Sequence, residues 1–323
     1  MLIKTLKTNR PSAYIAFFVT AVVFFVLDLI SVREPSLGSD HPLFSSLASF
    51  FLQHPIWSSV LLLAISLLMA MGWNNALSER GVFKNVTILP AFFFVILSSV
   101  FSFSSSWICL FIMLFVLNKL MLCFQQDRPY GLLFDSGFLI GLATLINPIC
   151  ILFFVLPYVS TALYTTISWR NLLIPVIGLF SPFLFAWAYG FYFDGLPALS
   201  NYYFSFLKWT FPSFEYSLAL SLWSLLLLLL FFFAIRELIQ WLSMKSLRSR
   251  KAFFLLFGYS ICAFIGIFFV QNSWNHLLFF ALPFSVLISN YFIFIHKRWW
   301  YESVFILILI STVYLQLAPL FKA

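Results

Sequence analysis

Long apolar runs separated by short polar breaks dominate the chain. The first run, residues 11–30, contains about 20 residues and is long enough to cross a bilayer once as a helix. Ten further apolar runs follow it, and we expect each of them to be helical. The predicted crossings are residues 11–30, 56–72, 86–101, 106–124, 131–146, 149–167, 172–193, 217–241, 252–270, 274–294 and 301–318.

Two pairs of these runs are divided only by weak breaks. Residues 86–124 are interrupted by the short stretch 101–106, and residues 131–167 are interrupted by Asn147 and Pro148. Each pair is therefore either two crossings or one re-entrant hairpin. The sequence predicts about eleven transmembrane helices, or nine if both pairs are re-entrant.

A polar segment follows the first run and precedes an amphipathic one. Within residues 43–53, the apolar side chains recur at helical spacing, while Ser45, Ser46, Ser49 and Gln53 fall largely on another face. This pattern is typical of a helix that lies on the membrane surface. We therefore expect a first outer loop, residues 31–42, followed by an interfacial helix.

The composition agrees with a membrane protein. Of 323 residues, 63% are apolar and only 9% are charged, which is too little charge for a soluble fold. The fold class is therefore all-α and polytopic, with residues 1–323 forming a single integral membrane domain. The net charge of +8 comes from short basic clusters between apolar runs, which indicates topology signals and no nucleic-acid partner.

The basic residues also orient the predicted helices. With a cytoplasmic N-terminus, fifteen of the eighteen basic residues fall on the inner side, and the C-terminus lies outside. The inner loop 236–251 is the most basic, and we interpret it first as a topology determinant that would also attract anionic lipid. Only three basic residues are placed on the outer side: Arg33, Lys208 and Lys322.

Three polar segments are placed on the outer face, where we expect the functional site. The first outer loop contributes Arg33, Glu34, Asp40 and His41. The second outer loop, residues 194–216, is rich in aromatic residues. Its candidate polar residues are Asp194, Asn201, Lys208 and Glu215, and a shorter third segment adds Asn275 and His276.

These residue types suggest chemistry on a phosphate-linked substrate. Asp40 or Glu34 would act as a general base or bind a metal-bridged phosphate. The alternative is that both are ordinary loop acids, with Asp40 capping the interfacial helix. The candidates for binding a phosphate or lipid head group are Arg33, Lys208, His41 and His276, and those for binding substrate are Asp194, Asn201, Glu215 and Asn275. For each cation the alternative is a side chain that simply reaches the head groups.

Among the acids inside predicted crossings, where charge is costly, Asp28 and Asp135 are the ones that we single out. Asp28 is close to the outer end of the first helix, so it either reaches water or joins the site of the first outer loop. Asp135 is near the inner interface, where we expect it to reach water or to pair with Arg128. The four cysteines lie inside apolar runs and are interpreted as buried hydrophobic residues, so no residue is assigned as a metal ligand.

This order of elements resembles the plan of GT-C membrane glycosyltransferases. The features that carry the resemblance are a first crossing, an outer loop with acids, an interfacial helix and a long second outer loop after the seventh crossing. The segment from Phe134 to Tyr158 is also similar to the glycine-rich helix and proline break of that superfamily. The resemblance implies a GT-C-like fold, a polyprenyl-phosphate donor, a divalent metal as a further candidate cofactor, and a catalytic acid among Glu34 and Asp40.

The same segment and Ser168 to Phe183 also resemble a bacterial family of multi-pass inner-membrane proteins of unknown function. That resemblance implies the bacterial inner membrane as location, with membrane lipids as partners. The leading hypothesis is a polyprenyl-phosphate-dependent glycosyltransferase, or a related transferase, that acts at the outer face in the cell envelope. Two alternatives stay open: a non-catalytic scaffold or lipid-binding subunit in envelope assembly, and a transporter.

Overall fold

The computed structural model describes residues 6–7, 10–31, 50–51, 53–83, 87–124, 126–165, 167–192, 203, 218–269, 273–294 and 298–318. Within these ranges the chain is helical and contains no β-strand. The predicted all-α fold class is confirmed. The first outer loop and nearly all of the second lie outside the described residues, and the interfacial helix is described only at Phe50, Phe51 and Gln53, which are helical.

We number the described α-helices in chain order. They are α1 (Pro11–Ser31), α2 (Pro55–Glu79), α3 (Leu89–Ser98), α4 (Ser105–Leu122), α5 (Tyr130–Ile146), α6 (Val155–Tyr164), α7 (Trp169–Tyr192), α8 (Leu218–Leu242), α9 (Leu247–Gly266), α10 (Ser273–His276), α11 (Ala281–Phe294) and α12 (Arg298–Leu317). Three 3₁₀ segments join them, at Pro148–Phe154, Ile267–Phe269 and Leu277–Phe280.

Each of the eleven predicted crossings contains helix. Seven helical segments are long and apolar enough to span a membrane, and four apolar segments are shorter. The long segments are Pro11–Ser31, Ile56–Glu79, Ser105–Leu122, Trp169–Tyr192, Ala219–Leu242, Leu247–Phe269 and Trp274–Phe294. Helix α3 has only 10 residues, which gives a rise of about 15 Å. It lies within residues 86–124, one of the two pairs for which a re-entrant hairpin is the alternative to two crossings. The number of crossings remains a prediction.

The ends of α2 show how local sequence sets the helix boundaries. Pro55 occupies the first turn, where the missing N–H has no intrahelical acceptor. At the other end Gly81 has φ +62°, a left-handed conformation that favours glycine. The N–H groups of Gly81 and Val82 donate to the carbonyls of Ser78 and Leu77 at 3.1 and 3.0 Å. This Schellman motif satisfies the last carbonyls and ends the helix.

Helices α5 and α7 approach each other more closely than side chains normally allow. A Cβ at Gly137 would collide with the Pro175 carbonyl, and one at Gly178 would collide with the Phe134 carbonyl. A Cβ at Gly141 would lie 2.6 Å from the carbonyl oxygen of Leu179. Small residues permit such contacts between membrane helices, where packing replaces the hydrophobic effect as the driving force. The glycines of the segment that suggested GT-C proteins therefore have a packing role.

Aromatic side chains fill the interior, while apolar side chains also cover the outside. Trp73, Trp107 and Phe93 are fully buried. By contrast, α7 exposes most of one face, including Phe185 and Tyr192. A soluble protein would not leave so large an apolar surface in water. The outward face therefore fits a lipid environment.

Contacts between the helix termini group into two ends of the bundle. At the Asp28 end, the C-terminal part of α1 meets Ser59, Ser99 and Trp107, and Trp274 contacts Phe101, two residues after Ser99. The Lys245 end includes four contact pairs: Lys7 with Ile293, Lys245 with Asn290, Arg80 with Asn118, and Ser249 with Val82. The sequence placed these two groups on the outer and inner faces, respectively. Which end faces the cytoplasm remains a prediction.

Candidate functional site

Asp28 lies on the buried face of α1. The buried residues of this helix recur every three or four positions: Ala13, Phe17, Ala21, Phe24, Asp28 and Ser31. Asp28 is 6% exposed, so its carboxylate faces the bundle and not the lipid. An acid held inside a helical membrane bundle is costly, and such residues commonly mark functional sites.

One hydroxyl group contacts this carboxylate, and a second bonds to the backbone of the same residue. Ser59, in the first turns of α2, donates a hydrogen bond from Oγ to Asp28 Oδ2 at 3.1 Å. The Ser31 hydroxyl donates to the Asp28 carbonyl at 3.1 Å. Both serines are buried. A charge-assisted bond of this kind orients the carboxylate and offsets part of the cost of removing it from water.

A cavity lies beside Asp28, between α1, α2, α3 and α4. It is a small cleft that is partly open to its surroundings, and the space within its walls is about 20 Å³, enough for about one water molecule. Phe24, Leu62 and Trp107 supply apolar walls, while Phe25 and Leu63 are only half-buried. The cavity therefore extends from the carboxylate toward the surface between α1 and α2.

Three serines are among the residues that line this mostly apolar cavity, and we call them the hydroxyl-lined wall. Ser66, Ser98 and Ser99 line it, and each hydroxyl donates to a carbonyl of its own helix, at 2.9, 3.4 and 2.9 Å. Their oxygen lone pairs remain available as acceptors. Behind them, the Gln316 amide donates to the Ser99 carbonyl at 2.6 Å and ties α12 to this wall. The cavity thus has one charged corner, one hydroxyl-lined side and apolar walls.

At its open side this cleft could contact an apolar chain that carries a hydroxyl group. The apolar walls can contact a hydrocarbon chain, and the carboxylate can accept a proton or a hydrogen bond from a hydroxyl. None of the described residues that line the cavity is basic. Among the described residues, no three His, Cys, Asp or Glu side chains are grouped closely enough to bind a metal ion. The carboxylates predicted for such a role, Glu34 and Asp40, are outside that part of the chain.

Most of the predicted site residues lie outside the described residues. These are Arg33, Glu34, Asp40, His41, Asp194, Asn201, Lys208 and Glu215. Their roles remain predictions. The single described residue of the second outer loop is Tyr203, whose hydroxyl donates to the Leu145 carbonyl at 2.9 Å, at the C-terminal end of α5.

His276 and Asn275 are described, and they occupy α10 at the Asp28 end. His276 is 2% exposed, and its Nε2 lies 2.9 Å from the Ala263 carbonyl oxygen. The imidazole packs against Phe279 and directly over Gly266, where a Cβ would collide with it. Asn275 is half-buried. Next to them, Trp274 contacts Phe101, which follows the hydroxyl-lined wall.

The other intramembrane acid has a structural partner. Lys119 Nζ lies 2.8 Å from Asp135 Oδ2, with the two side chains 37% and 44% exposed. Asp135 thus pairs with a lysine on α4 and not with Arg128, while its partial exposure fits the other expectation, that it reaches the interface. The exposure and the pairing together explain this acid without a functional role.

Sequence reasoning noted Asp28 but missed the residues around it. The signal for Asp28 was available, because it continues the stripe of buried positions along α1. Ser59, Ser99 and Gln316 gave no comparable signal. A single hydroxyl or amide in an apolar run bonds equally well to its own helix, so only the packing identifies its neighbours.

Comparisons with known proteins give a family without an activity. No curated protein and no solved structure matches the chain. Residues 43–322 match the model of a family of unknown function, DUF6427. The match begins after α1, so Asp28 precedes it, whereas Ser59, the hydroxyl-lined wall and His276 lie within it. Because the match covers most of the 323 residues, the chain belongs to the DUF6427 family.

Proposed function

We propose that the protein is a GT-C-like membrane transferase that moves a sugar or a related group from a polyprenyl-phosphate donor at the Asp28 end. The observation that carries this proposal is the cavity between α1 and α2, in which a buried carboxylate meets apolar walls. A polyprenyl chain is hydrocarbon and enters from the bilayer. Its polar end would reach the carboxylate and the serine hydroxyls.

In this proposal a carboxylate removes the proton from the acceptor hydroxyl. The acceptor oxygen then attacks the transferred carbon, and the bond from that carbon to the phosphate oxygen breaks. The polyprenyl phosphate leaves with the electron pair, while the proton stays on the carboxylate. Asp28 supports this step because it is buried beside the cavity, and Glu34 and Asp40 follow it in the sequence.

The predicted cations have a separate role. Arg33, His41 and Lys208 would neutralise the phosphate as negative charge develops on the leaving oxygen. Arg33 is five residues beyond Asp28 in the sequence, so the base and a phosphate ligand would come from one short segment. Asp28 itself would repel a phosphate, and we therefore assign it to the hydroxyl-bearing side of the substrate.

The test is a transfer assay in proteoliposomes, using polyprenyl-phosphate-linked hexoses as donors, hydroxyl-bearing glycolipids as acceptors and release of polyprenyl phosphate as readout. Asp28→Asn keeps the shape and the Ser59 contact but cannot act as a base. We expect it to lower release by about 10²–10⁴-fold. Glu34→Gln and Asp40→Asn, assayed separately, identify which acid is the base. Asp135→Asn is the matched control, because that acid has a partner at the other end.

Two outcomes would overturn the proposal. If the wild-type protein retains polyprenyl phosphate in native mass spectrometry but releases none from any donor, the protein is a non-catalytic lipid-binding subunit. If it neither binds the lipid nor releases it, the cavity does not serve this substrate class. Normal release by all three amide variants would remove the carboxylates from the mechanism.

A further inference from the structure

Three cationic side chains lie in the first turns of α9, at the end of the bundle opposite Asp28. They are Arg248, Arg250 and Lys251. In the part of the chain that the structure describes, the ion pairs are Arg80 with Glu79 and Lys119 with Asp135, so none of the three has a carboxylate partner. The Nε atoms of Arg248 and Arg250 are buried, and neither has a hydrogen-bond acceptor among the described residues.

Helix stability does not explain these cations. The first turn of a helix carries the positive end of the backbone dipole, so acids are favourable there and cations are unfavourable. The local cap is already made, because Ser246 Oγ accepts a hydrogen bond from the Ser249 N–H at 3.3 Å. Three cations without carboxylate partners at this position therefore cost stability, and among the described residues the side-chain contacts that the fold offers them are with aromatic rings only.

Two of the cations converge on one aromatic ring. The Arg248 guanidinium lies 5.6 Å from the Phe124 ring centroid, and Lys251 Nζ lies 5.9 Å from the same centroid. Lys251 Nζ is also 6.0 Å from the ring of Tyr164, at the end of α6. The rings hold the two charges close together, although like charges repel each other. The nearest acid along the chain from Phe124 is Asp127, which is exposed.

Lys245, in contrast, is a cation whose hydrogen bond and ring contacts are supplied by the fold itself. Its Nζ donates to Asn290 Oδ1 at 2.7 Å and lies over the rings of Phe253 and Phe294, at 4.9 and 4.7 Å. It also lies near the C-terminal end of α11, where the helix dipole favours positive charge. Every contact of this lysine comes from within the bundle. Among the residues that the structure describes, Arg248, Arg250 and Lys251 have no comparable acceptor.

The surface of α9 beyond these cations is apolar and exposed. Leu247, Phe254 and Ile261 are all exposed, and their spacing of seven residues places them along one stripe of the helix. Arg250 and Lys251 fall between the first two members of this stripe. Because Leu247–Phe269 is apolar enough to span a membrane, the cations lie where the helix enters the bilayer.

We propose that Arg248, Arg250 and Lys251 form a binding site for the phosphate of an anionic phospholipid. Its acyl chains would lie along the exposed stripe of α9, and its phosphate oxygens would accept the hydrogen bonds that the arginines lack. A lipid fits better than free phosphate, because the apolar stripe runs directly from the cations. This site is independent of the proposed transferase, since it lies at the other end of the bundle.

The experiment compares two triple variants with equal changes in charge. The site variant is Arg248→Gln, Arg250→Gln, Lys251→Gln. The control is Arg128→Gln, Arg170→Gln, Arg236→Gln, which removes three exposed cations. Each full-length protein is incorporated into nanodiscs of phosphatidylcholine with a minor fraction of phosphatidylglycerol, and native mass spectrometry counts the retained lipids. Thermal unfolding in the same nanodiscs shows whether both variants are folded.

We expect the wild-type protein to retain phosphatidylglycerol well above its share in the nanodisc. The enrichment should fall at least about tenfold in the site variant and less than about twofold in the control, because only the site variant removes the converging cations. Equal losses in both variants would show a general effect of charge and overturn the site. Absence of enrichment in the wild-type protein would overturn it too. Displacement of the lipid by excess inorganic phosphate would replace the lipid assignment with a free-anion site.

If the site variant fails to fold, the single variants Arg250→Lys and Arg250→Gln test the lipid site in its place. The lysine variant keeps the charge and should retain the lipid enrichment, whereas the glutamine variant should reduce it. Loss of enrichment in both single variants would indicate that the arginine has a packing role and no lipid role.

Discussion

The two ends of the bundle differ in how their charged groups are accommodated. At the Asp28 end, the one buried acid among the described residues accepts a hydrogen bond from one hydroxyl group and lies among neutral side chains. At the Lys245 end the described cations outnumber the acids and remain partly exposed. Interactions are stronger where water is excluded, so a change at the Asp28 end should cost more than a change at the Lys245 end. Four substitutions or titrations test this difference.

The largest effect on stability is expected at Gly266. An alanine there would push its Cβ into the buried His276 imidazole, and overpacking of this kind costs about 2–3 kcal/mol. Gly258→Ala, on the same helix, is the matched control, because its Cβ would lie 3.5 Å from Val159 Cγ1, an ordinary contact. The control should be neutral or stabilising by up to about 1 kcal/mol. Thermal unfolding in detergent measures both.

A second variant separates the collision from a general helix effect. If His276 is the obstacle, adding His276→Ala to Gly266→Ala should cost less than the sum of the two single changes. Strict additivity would show that the imidazole and the glycine do not interact, and the tight packing at the Asp28 end would be refuted.

Ser59→Ala should have the next largest effect. It removes the hydroxyl that donates to Asp28 and leaves the carboxylate oxygen without that bond, at a cost of about 1–2 kcal/mol. In the Asp28→Leu background the same change should cost almost nothing, because the acceptor is gone. Unfolding of the wild-type protein, the two single variants and the double variant gives the coupling energy between Ser59 and Asp28. A coupling near zero would mean that the bond contributes nothing.

At the other end, Lys245 should make stability depend on pH. Burial lowers the pKa of this lysine from its ordinary value of 10.5 to about 8. Between these values the unfolded chain binds more protons than the folded one, so the free energy of unfolding rises with pH and is flat below about pH 8. We expect a rise of about 1 kcal/mol, since the side chain keeps some contact with solvent.

The measurement is the unfolding midpoint in detergent from pH 7 to 10, for the wild-type protein and Lys245→Gln. The variant should lose most of the rise. Burial also lowers the pKa of Lys7, which contributes a residual slope of the same sign. A falling midpoint in the wild-type protein, with no change in the variant, would contradict the assignment.

The smallest effect is expected for the pair of Lys119 and Asp135. Although the atoms are 2.8 Å apart, both side chains are more than a third exposed, and such pairs contribute less than about 1 kcal/mol. Lys119→Gln and Asp135→Asn should each lower the unfolding midpoint only slightly, and less so in high salt. A loss as large as that of Ser59→Ala would remove the difference between the two ends.

Apolar runs predicted the helices well, since helix occupies all eleven predicted segments. They predicted lengths less well. The run 86–101 reads as a crossing, yet α3 has only 10 residues, because Pro90 fixes its start and the turn at Ser99 ends it. The break at Asn147 and Pro148 was visible in the sequence. The structure adds a 3₁₀ segment there, which Asn147 caps by accepting from the Ile149 N–H at 3.3 Å.

The candidate site was predictable only in outline. The sequence marked the region after the first helix and the costly acid Asp28, because a charge in an apolar run is conspicuous. It did not indicate that Ser59 would meet this acid or that a cavity would lie beside it. For His276 the sequence offered a phosphate ligand, while the structure places the ring over Gly266. Nothing in the spacing of these residues predicts that contact.

By itself, the sequence determined that this protein is a bundle of apolar helices, because each helix satisfies its own backbone and the surrounding lipid favours an apolar surface. It also determined that cations would gather between particular runs. Only the tertiary structure decided which polar groups meet, such as Asp28 with Ser59 or Lys119 with Asp135. The physical reason is that a helix can rotate and slide against its neighbours without changing its own hydrogen bonds, so packing alone selects the partners.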